Sequence, residues 1–376
     1  MKTEPMAWFD LDAPIFAFSH CRDVVAAVCR AGGMGAFGTT QCTAEQLEIE
    51  LSWLDEHTDG KPYAVDLMFA SNAPERFEGI TTPEEVEHLL PQEHRDFVER
   101  ILDEHDVPKL PPEESEQLFR DYMATMTRTH AQAKARLEVV FRHPLARMIV
   151  SALGVPPEEV ITEAHSRGMK VAALVGHPKH VKHHQAAGVD LLIASGTESG
   201  GHVGEIASFV LTPQIAELAD PIPVLHGGGI GRGRQIAAAL ALGAQGVWTG
   251  SIWLTTAEAE TTPAVRDKII RADSAGTMRS LDGTGKPARR LRSEWVEAWA
   301  DPANPPPLPM PLQTMLVNEA RVRMARYEPP GLLTYPAGQM VGMIDRERTV
   351  RDVMYDLLLE FGETMEQMQQ TYAAGG

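Results

Sequence analysis

Short apolar runs rich in Val, Ile and Leu recur along this chain, each followed by a longer helical pattern, and that alternation limits the fold more than any other feature. The runs are Pro14–Phe18, Met34–Gly38, Ala64–Met68, Leu137–Phe141, Lys170–Leu174, Val189–Ala194, Ile222–His226 and Gln245–Thr249. Segments apolar on both faces and separated by helices belong in a parallel sheet covered on both sides. Eight of them fit a closed (β/α)8 TIM barrel, which needs about 250 residues before insertions, and the chain has 376. The alternative is an open doubly wound sheet, whose GxGxxG turn after the first strand is missing.

Helix signals agree with this plan. Thr43-Ala-Glu-Gln is a capping-box pattern opening Ala44–His57. Pro156-Pro157-Glu158-Glu159 opens another helix that Gly168 ends, and Gln235–Leu242 runs to Gly243. Two stretches are additions to a barrel spanning 1–275. Residues 71–136 form a strongly acidic insertion after the third strand, expected as two helices around Val107-Pro-Lys-Leu-Pro-Pro, either a lid over the mouth or a solvated excursion. Residues 276–376 form a C-terminal extension: an extended proline stretch, Pro302–Pro311, then helices over Gln313–Tyr327 and Thr349–Tyr372.

Net charge narrows the function classes. At −18 the chain is a poor constitutive partner for nucleic acid, which is bound through clustered Lys and Arg. No apolar run approaches the length of a membrane span, and the N-terminus turns acidic at once, so a soluble cytoplasmic protein is expected. Three cysteines, an odd number in a long chain, read as reduced thiols.

The chemistry concentrates in two segments. Asp190–Gly204 reads DLLIASGTESGGHVG, and Pro223–Gly250 reads PVLHGGGIGRGRQIAAALALGAQGVWTG. Gly227, Gly228 and Gly229 follow a strand and precede a helix, where bare backbone N–H groups and the helix dipole suit a phosphate dianion. Gly250 and Ser251 repeat the arrangement after the next strand, and neighbouring glycine loops on the last two strands are where barrels hold phosphate. Arg232 or Arg234 either adds a charge contact there or is solvated. In the earlier segment His202 ends a glycine loop at a strand's C-terminal end, where an imidazole is able to take a proton from carbon or bond a developing anion. Glu198 is either a second acid/base group or a carboxylate capping backbone.

Together these motifs resemble the nitronate monooxygenase family (2-nitropropane dioxygenases), FMN-dependent barrels with an Ala-Gln-Gly-x-Glu-Ala-Gly-Gly-His-x-Gly loop and an Ala-Ala-Gly-Gly-Ile phosphate loop. Here they read Ala194-Ser-Gly-Thr-Glu-Ser-Gly-Gly-His202-Val-Gly204 and Leu225-His-Gly-Gly-Gly-Ile230. The resemblance implies FMN at Gly228, Gly229, Gly250 and Ser251, with Gly227, Ser195, Gly196, Gly200 and Gly201 around it and Ala17 and Phe18 facing its ring. It implies His202 as the catalytic residue, and oxidation of alkyl nitronates by O2 to a carbonyl compound and nitrite. Ser195, Ser199 and His226 depart from the family pattern. Related barrels are NAD(P)H-dependent quinone or enoyl-ACP reductases, so NAD(P)H is an alternative reductant and a homo-oligomer is compatible with the chain.

Other readings stay open at this point. A non-redox barrel using the glycine loops for a phosphorylated substrate needs a lysine or carboxylate pair at the strand ends, and Lys170 begins its strand on the wrong face. A flavin-binding protein without turnover is a third reading. Gly176–His184 is histidine-rich, but no acid or thiol is interleaved and lysines intrude, so no metal is assigned. Cys21, in the first βα loop, reads as an inert thiol.

Overall fold

The computed structural model describes residues 2–40, 42–69, 86, 88–125 and 130–373. Its strands are β1 (Ile15–Ser19), β2 (Met34–Gly38), β3 (Tyr63–Leu67), β4 (Ala146–Ser151), β5 (Lys170–Val175), β6 (Leu191–Ser195), β7 (Gly201–His202), β8 (Val224–Gly227), β9 (Val247–Thr249), β10 (Thr277–Ser280) and β11 (Ala288–Leu291). Eight of these close a parallel barrel in the order β1-β2-β3-β4-β5-β6-β8-β9, with β9 pairing back on β1. It is a (β/α)8 TIM barrel. Side chains alternate across each strand. Phe16, Met34, Ala36, Ala64, Met148, Val150, Leu191, Ile193 and Leu225 fill the interior, while Val65, Ile149, Val171 and Leu192 pack outward against helices. A short helix, Glu4–Phe9, closes the N-terminal end by adding Met6 and Phe9 to the interior cluster.

Seven strands fall within two residues of the runs read from sequence, and the fourth does not. Leu137–Phe141 closes the helix His130–Val140 and its following turn, and β4 is Ala146–Ser151. Leu137, Val140 and Phe141 stand at helical spacing and pack as one face on the outer core. A short β-rich run cannot be told from a buried helix end by composition alone. The β10–β11 hairpin and the β7 strand paired to it also carried no clear sequence signal.

Part of the acidic insertion, 71–85, 87 and 126–129, lies outside the described residues. The rest forms helices Gln92–Glu104 and Pro112–Thr125, flanking the proline loop. These pack on the C-terminal extension rather than standing free in solvent. Phe97 and Leu102 share a buried cluster with Trp295, Trp299, Leu316 and Val317. Arg323, buried on the helix Leu312–Tyr327, donates to the Pro108 carbonyl at 2.9 Å and the Val107 carbonyl at 3.0 Å, and pairs with Glu99 at 2.8 Å. The proline loop is thereby stitched to the tail.

The last helix, Val350–Ala373, lies on the helices Arg22–Arg30 and Gly233–Ala241. A Cβ on Gly233 would fall 2.2 Å from the Leu357 carbonyl, so a glycine is needed for the two backbones to approach. Glu360 accepts from Arg232 Nε at 2.9 Å, Arg234 Nε at 2.6 Å and the Gly233 N–H at 2.8 Å. Partial burial raises its carboxyl, and these donors outweigh that and hold it at about 2. A carboxylate depressed on folding stabilises above its unfolded pKa of about 4.3 and loses that contribution as pH falls toward the folded value. Glu360→Gln is therefore expected to lower the denaturation midpoint at neutral pH and to flatten the wild-type loss of stability between about pH 4.5 and 2. Chemical denaturation across that range checks it, and parallel pH profiles would refute the assignment.

Candidate active site

The C-terminal ends of the barrel strands converge under the β7–β11–β10 sheet. Gly228 and Gly229 sit after β8 with φ of 119° and 73°, conformations that L side chains rarely adopt. The N–H groups of Gly229 and Gly250 find no backbone acceptor among the described residues. Gln235, near the start of the following helix, ties the loop down: its amide donates to the Gly229 carbonyl at 2.8 Å and accepts from Gly231 and Arg232 N–H at 2.8 and 3.0 Å. A Cβ on Gly250 would meet nothing within 4 Å, so that position faces open space. Orphan N–H groups, bare backbone and two adjacent strand ends make a cradle that fits a phosphate. Arg232 and Arg234 are engaged with Glu360 instead.

The loop after β6 is held from several sides. Gly196 N–H donates to the Gly227 carbonyl at 2.9 Å, and a Cβ there would fall 2.4 Å from Ser208 N. Glu198 accepts from the Ser208 N–H at 3.1 Å, so its carboxylate caps the helix Ser208–Ala219. That is the capping role, not the acid/base one. Ser195, inward on β6, places its hydroxyl 3.4 Å from that of Ser199. Arg289 on β11 donates to the Thr197 carbonyl at 2.7 Å. A strap, Tyr335–Gly338, crosses to the opposite side, where Gly338 N–H donates to Ser251 Oγ at 2.8 Å. Gly200 lies so close under this strap that a Cβ would be 2.9 Å from Gly338 N, whereas a Cβ on Gly201 (φ 75°) would meet nothing within 4 Å.

His202 stands on β7, paired with Ala288 of β11. The residue is half-buried, and its Nδ1 is buried without a partner among the described residues. Desolvation lowers its pKa, the Pro287 backbone works the other way, and Lys286 and Arg290 push it down further. The imidazole is therefore neutral near pH 7, with a lone pair to accept a proton. His226 points away from the interior and bonds Thr212 Oγ1 through Nδ1 at 2.8 Å, behind the glycine loop.

On β1 only Phe18 presents its ring to the mouth. Ala17 faces outward among Val24, Val28 and Val247, so it is able to meet a ligand only through backbone. His20 follows, its ring edge-on to Phe18 at 5.0 Å and its Nδ1 2.9 Å from the Gly38 carbonyl. Asp66 was not anticipated. It lies in the inward register of β3, opposite Gly38 and Val150, and its carboxyl has no hydrogen bond among the described residues. Burial pushes its pKa well above its ordinary value, which favours the protonated form, a hydrogen-bond donor. The signal was available: a single acid interrupts the apolar run Tyr63-Ala-Val-Asp-Leu67.

Elsewhere, Lys170 pairs with Asp190 at 2.9 Å at the far end of β5. Among the described residues the one group of three ligand-type side chains within 4.8 Å of one another is Cys21, Asp23 and Glu260, and the histidines of 177–184 do not converge. Burial raises the Cys21 thiol, which favours the unreactive form. No helix of the described residues is long and apolar enough to cross a membrane.

Fold and site thus define a TIM barrel with a glycine cradle on its last two strands, of a kind that fits a phosphate, and a neutral histidine above the mouth. Comparison with known proteins makes this specific. The nitronate monooxygenase family model matches residues 11–360, and the chain belongs to that family. It is accordingly an oxidoreductase and a flavoprotein. A Mycobacterium tuberculosis (strain ATCC 25618 / H37Rv) protein whose name gives a monooxygenase and no substrate is 45% identical over 98% of this chain and 99% of its own. A Staphylococcus saprophyticus protein named as a nitronate monooxygenase is 28% identical over 82% of each chain. Among solved structures, nitroalkane oxidase from Streptomyces ansochromogenes superposes with a TM-score of 0.78 at 25% identity, covering 95% of this chain and 98% of that one. FabK from Thermotoga maritima shares the fold at a TM-score of 0.74, with 24% identity and 99% coverage of both.

Two substitutions test the site. Gly250→Ala meets no protein atom, so the flavin-free protein should keep its thermal midpoint while flavin retention falls; unchanged retention would remove Gly250 from the cradle. For Asp66 the sign is the reverse of Glu360. A carboxyl raised on folding binds its proton in the folded state, so it costs increasing stability as pH rises above the unfolded value of about 4. Asp66→Asn should flatten that loss between pH 5 and 8 in the flavin-free protein, and an unaltered slope would show Asp66 to be ionised.

Proposed function

We propose that the protein binds FMN non-covalently and oxidises alkyl nitronates with dioxygen, releasing a carbonyl compound and nitrite. The observation that carries this reading is the juxtaposition of the β8 and β9 glycine cradle with a desolvated, neutral His202 over the same strand ends. The backbone of Gly228, Gly229 and Gly250 and the hydroxyl of Ser251 would hold the phosphate; Ser251 Oγ already accepts from Gly338, which leaves its own proton free to donate. Phe18, Ser195, Gly196, Gly200 and Gly201 would border the ring. When bound, the isoalloxazine supplies the electron transfer between nitronate and O2.

The chain's own residues supply placement and proton handling. Neutral His202 takes the α-proton of a nitroalkane at a ring nitrogen, or orients the anion when the nitronate is the substrate. Desolvation that lowers the imidazole pKa also strengthens its hydrogen bond to a bound anion once it is protonated. Protonated Asp66, from the floor of the mouth, offers a donor where His202 offers an acceptor.

The deciding measurement is the visible spectrum of the purified protein, followed anaerobically as an alkyl nitronate is added. Bleaching, with nitrite formed when air is admitted, is the expected result. An oxidised flavin that ignores nitronate but is reduced by NADH or NADPH would replace this reading with a pyridine-nucleotide reductase. His202→Asn should keep the yellow flavin and lose turnover of neutral nitroalkanes by about a hundredfold or more, and unchanged turnover would take His202 out of the mechanism.

A further inference from the structure

The ends of β1 and β2 hold a second imidazole in the mouth, one with no part in the chemistry at His202. Along β2, Ala36 faces the barrel interior and Phe37 the outer core, so Gly38 returns to the inward side. A Cβ on Gly38 would fall 2.6 Å from His20 Nδ1, 2.7 Å from its Cε1 and 2.8 Å from Phe18 Cζ. The His20 ring therefore fills the inward space that a side chain at Gly38 would take. Phe18 stands edge-on beside it, with ring centroids 5.0 Å apart. A bare Gly38 is what lets an imidazole carried by the end of β1 lie across the end of β2.

That imidazole is held in one tautomer. His20 Nδ1 lies 2.9 Å from the Gly38 carbonyl, which only accepts, so Nδ1 carries the ring proton and Nε2 keeps its lone pair. The ring makes no other hydrogen bond among the described residues, and solvent reaches the residue. Imidazole is mainly neutral above about pH 6.5, and desolvation of the packed ring outweighs the Gly38 bond and lowers its pKa further. Directly opposite Gly38 on β3 stands Asp66, also inward, and neighbouring strands lie about 4.8 Å apart. Thr39 pins the two strand ends at this point, its N–H at 3.2 Å and its hydroxyl at 2.9 Å both donating to the Asp66 carbonyl. The Asp66 side chain is 5% exposed and without a partner among the described residues, and burial favours its protonated form. A buried polar group left unpaired is costly until a partner arrives. An acceptor and a donor, both uncharged, thus stand on the inward ends of adjacent strands.

We propose that His20 and Asp66 are specificity-determining residues that receive a hydroxyl group of the substrate away from the reacting carbon, His20 Nε2 accepting from its O–H and the Asp66 carboxyl donating to its oxygen. A hydroxyl needs one partner of each kind. An anion would meet the lone pair of Nε2, and a methyl group would leave both partners bare, the situation in which a site built for a hydroxyl rejects the analogue lacking it. Phe18 offers an apolar wall to the carbons in between. His202 follows β6 and His20 follows β1, with the cradle strands β8 and β9 between them on the barrel, so the two imidazoles flank the cradle. The inference rests on the nitronate reading for its reaction and names the substrate class within it, nitro compounds and nitronates that bear a hydroxyl.

The test uses holoenzyme, wild type with His20→Phe, Asp66→Asn and Asp66→Val, and flavin content and thermal midpoint are measured for each. Values of kcat/KM are compared for the nitronates of 2-nitroethanol and of 1-nitropropane, in which a methyl replaces the hydroxyl. The flavin spectrum is titrated separately with phenol and with anisole, which lacks the donor proton. Wild type should favour the hydroxyl member of each pair by about tenfold or more. His20→Phe and Asp66→Val should each abolish that preference, and Asp66→Asn, which keeps a donor, should hold part of it. Equal treatment of the two members by the wild type, or a preference that survives His20→Phe or Asp66→Val, overturns the assignment. So does loss of flavin with the hydroxyl preference intact, which would set the pair against the cofactor instead. Should the wild type ignore every nitronate, the reaction assignment fails, and the phenol and anisole titrations still decide whether His20 and Asp66 receive a hydroxyl.

Discussion

The close contact between Gly200 and Gly338 is the constraint on which the site depends. A Cβ on Gly338 would fall 2.6 Å from the Glu198 carbonyl, and one on Gly200 would reach 2.9 Å from Gly338 N. Gln339 N–H donates to that same Glu198 carbonyl at 2.9 Å, while Gly338 N–H reaches Ser251. Three parts of the chain that are remote in sequence are thus joined at one point: the loop after β6, the end of β9 and the C-terminal strap. Two glycines back to back allow backbone donors and acceptors to meet where side chains would hold the segments apart. His202 follows Gly200 by two residues, so its height over the barrel mouth is set by this contact and by β7–β11 pairing.

Desolvation is the second theme, and it acts with opposite sign on the two titratable groups at the mouth. It disfavours the charged form in each case, favouring an unprotonated His202 imidazole and a protonated Asp66 carboxyl. One environment therefore yields a neutral acceptor above and a neutral donor below. Around His202, Lys286 and Arg290 supply positive charge, in a chain whose net charge is −18. Local arrangement rather than net charge decides what the mouth attracts.

Much of the barrel was legible because its strands are buried on both faces and read as unbroken apolar runs. The two failures have definite causes. Leu137–Phe141 carries residues that favour strands, but its apolar positions continue the period of the preceding helix, and only packing against the outer core decides between the two. The hairpin β10–β11 reads Thr-Met-Arg-Ser and Ala-Arg-Arg-Leu, with too little alternation to signal a strand. Arg279 reaches Gly204 and Glu205 and Arg289 reaches Thr197, partners more than seventy residues away that no local window contains. Ala17 and Phe18 show the same limit in a single strand: adjacent residues point to opposite faces, and closure of the barrel decides which is inside.

The sequence by itself determined the fold class, the family and the position of the glycine loops at the last two strand ends, because each rests on local pattern: recurring apolar runs, and glycines where backbone must lie bare at strand ends. Tertiary structure alone decided what surrounds the chemistry. It packed the helix Gln92–Glu104 and the proline loop against the tail, engaged Arg232 and Arg234 with Glu360, and turned Glu198 into a helix cap. Charge pairing and desolvation depend on distances between residues up to hundreds of positions apart, which only the folded chain brings together.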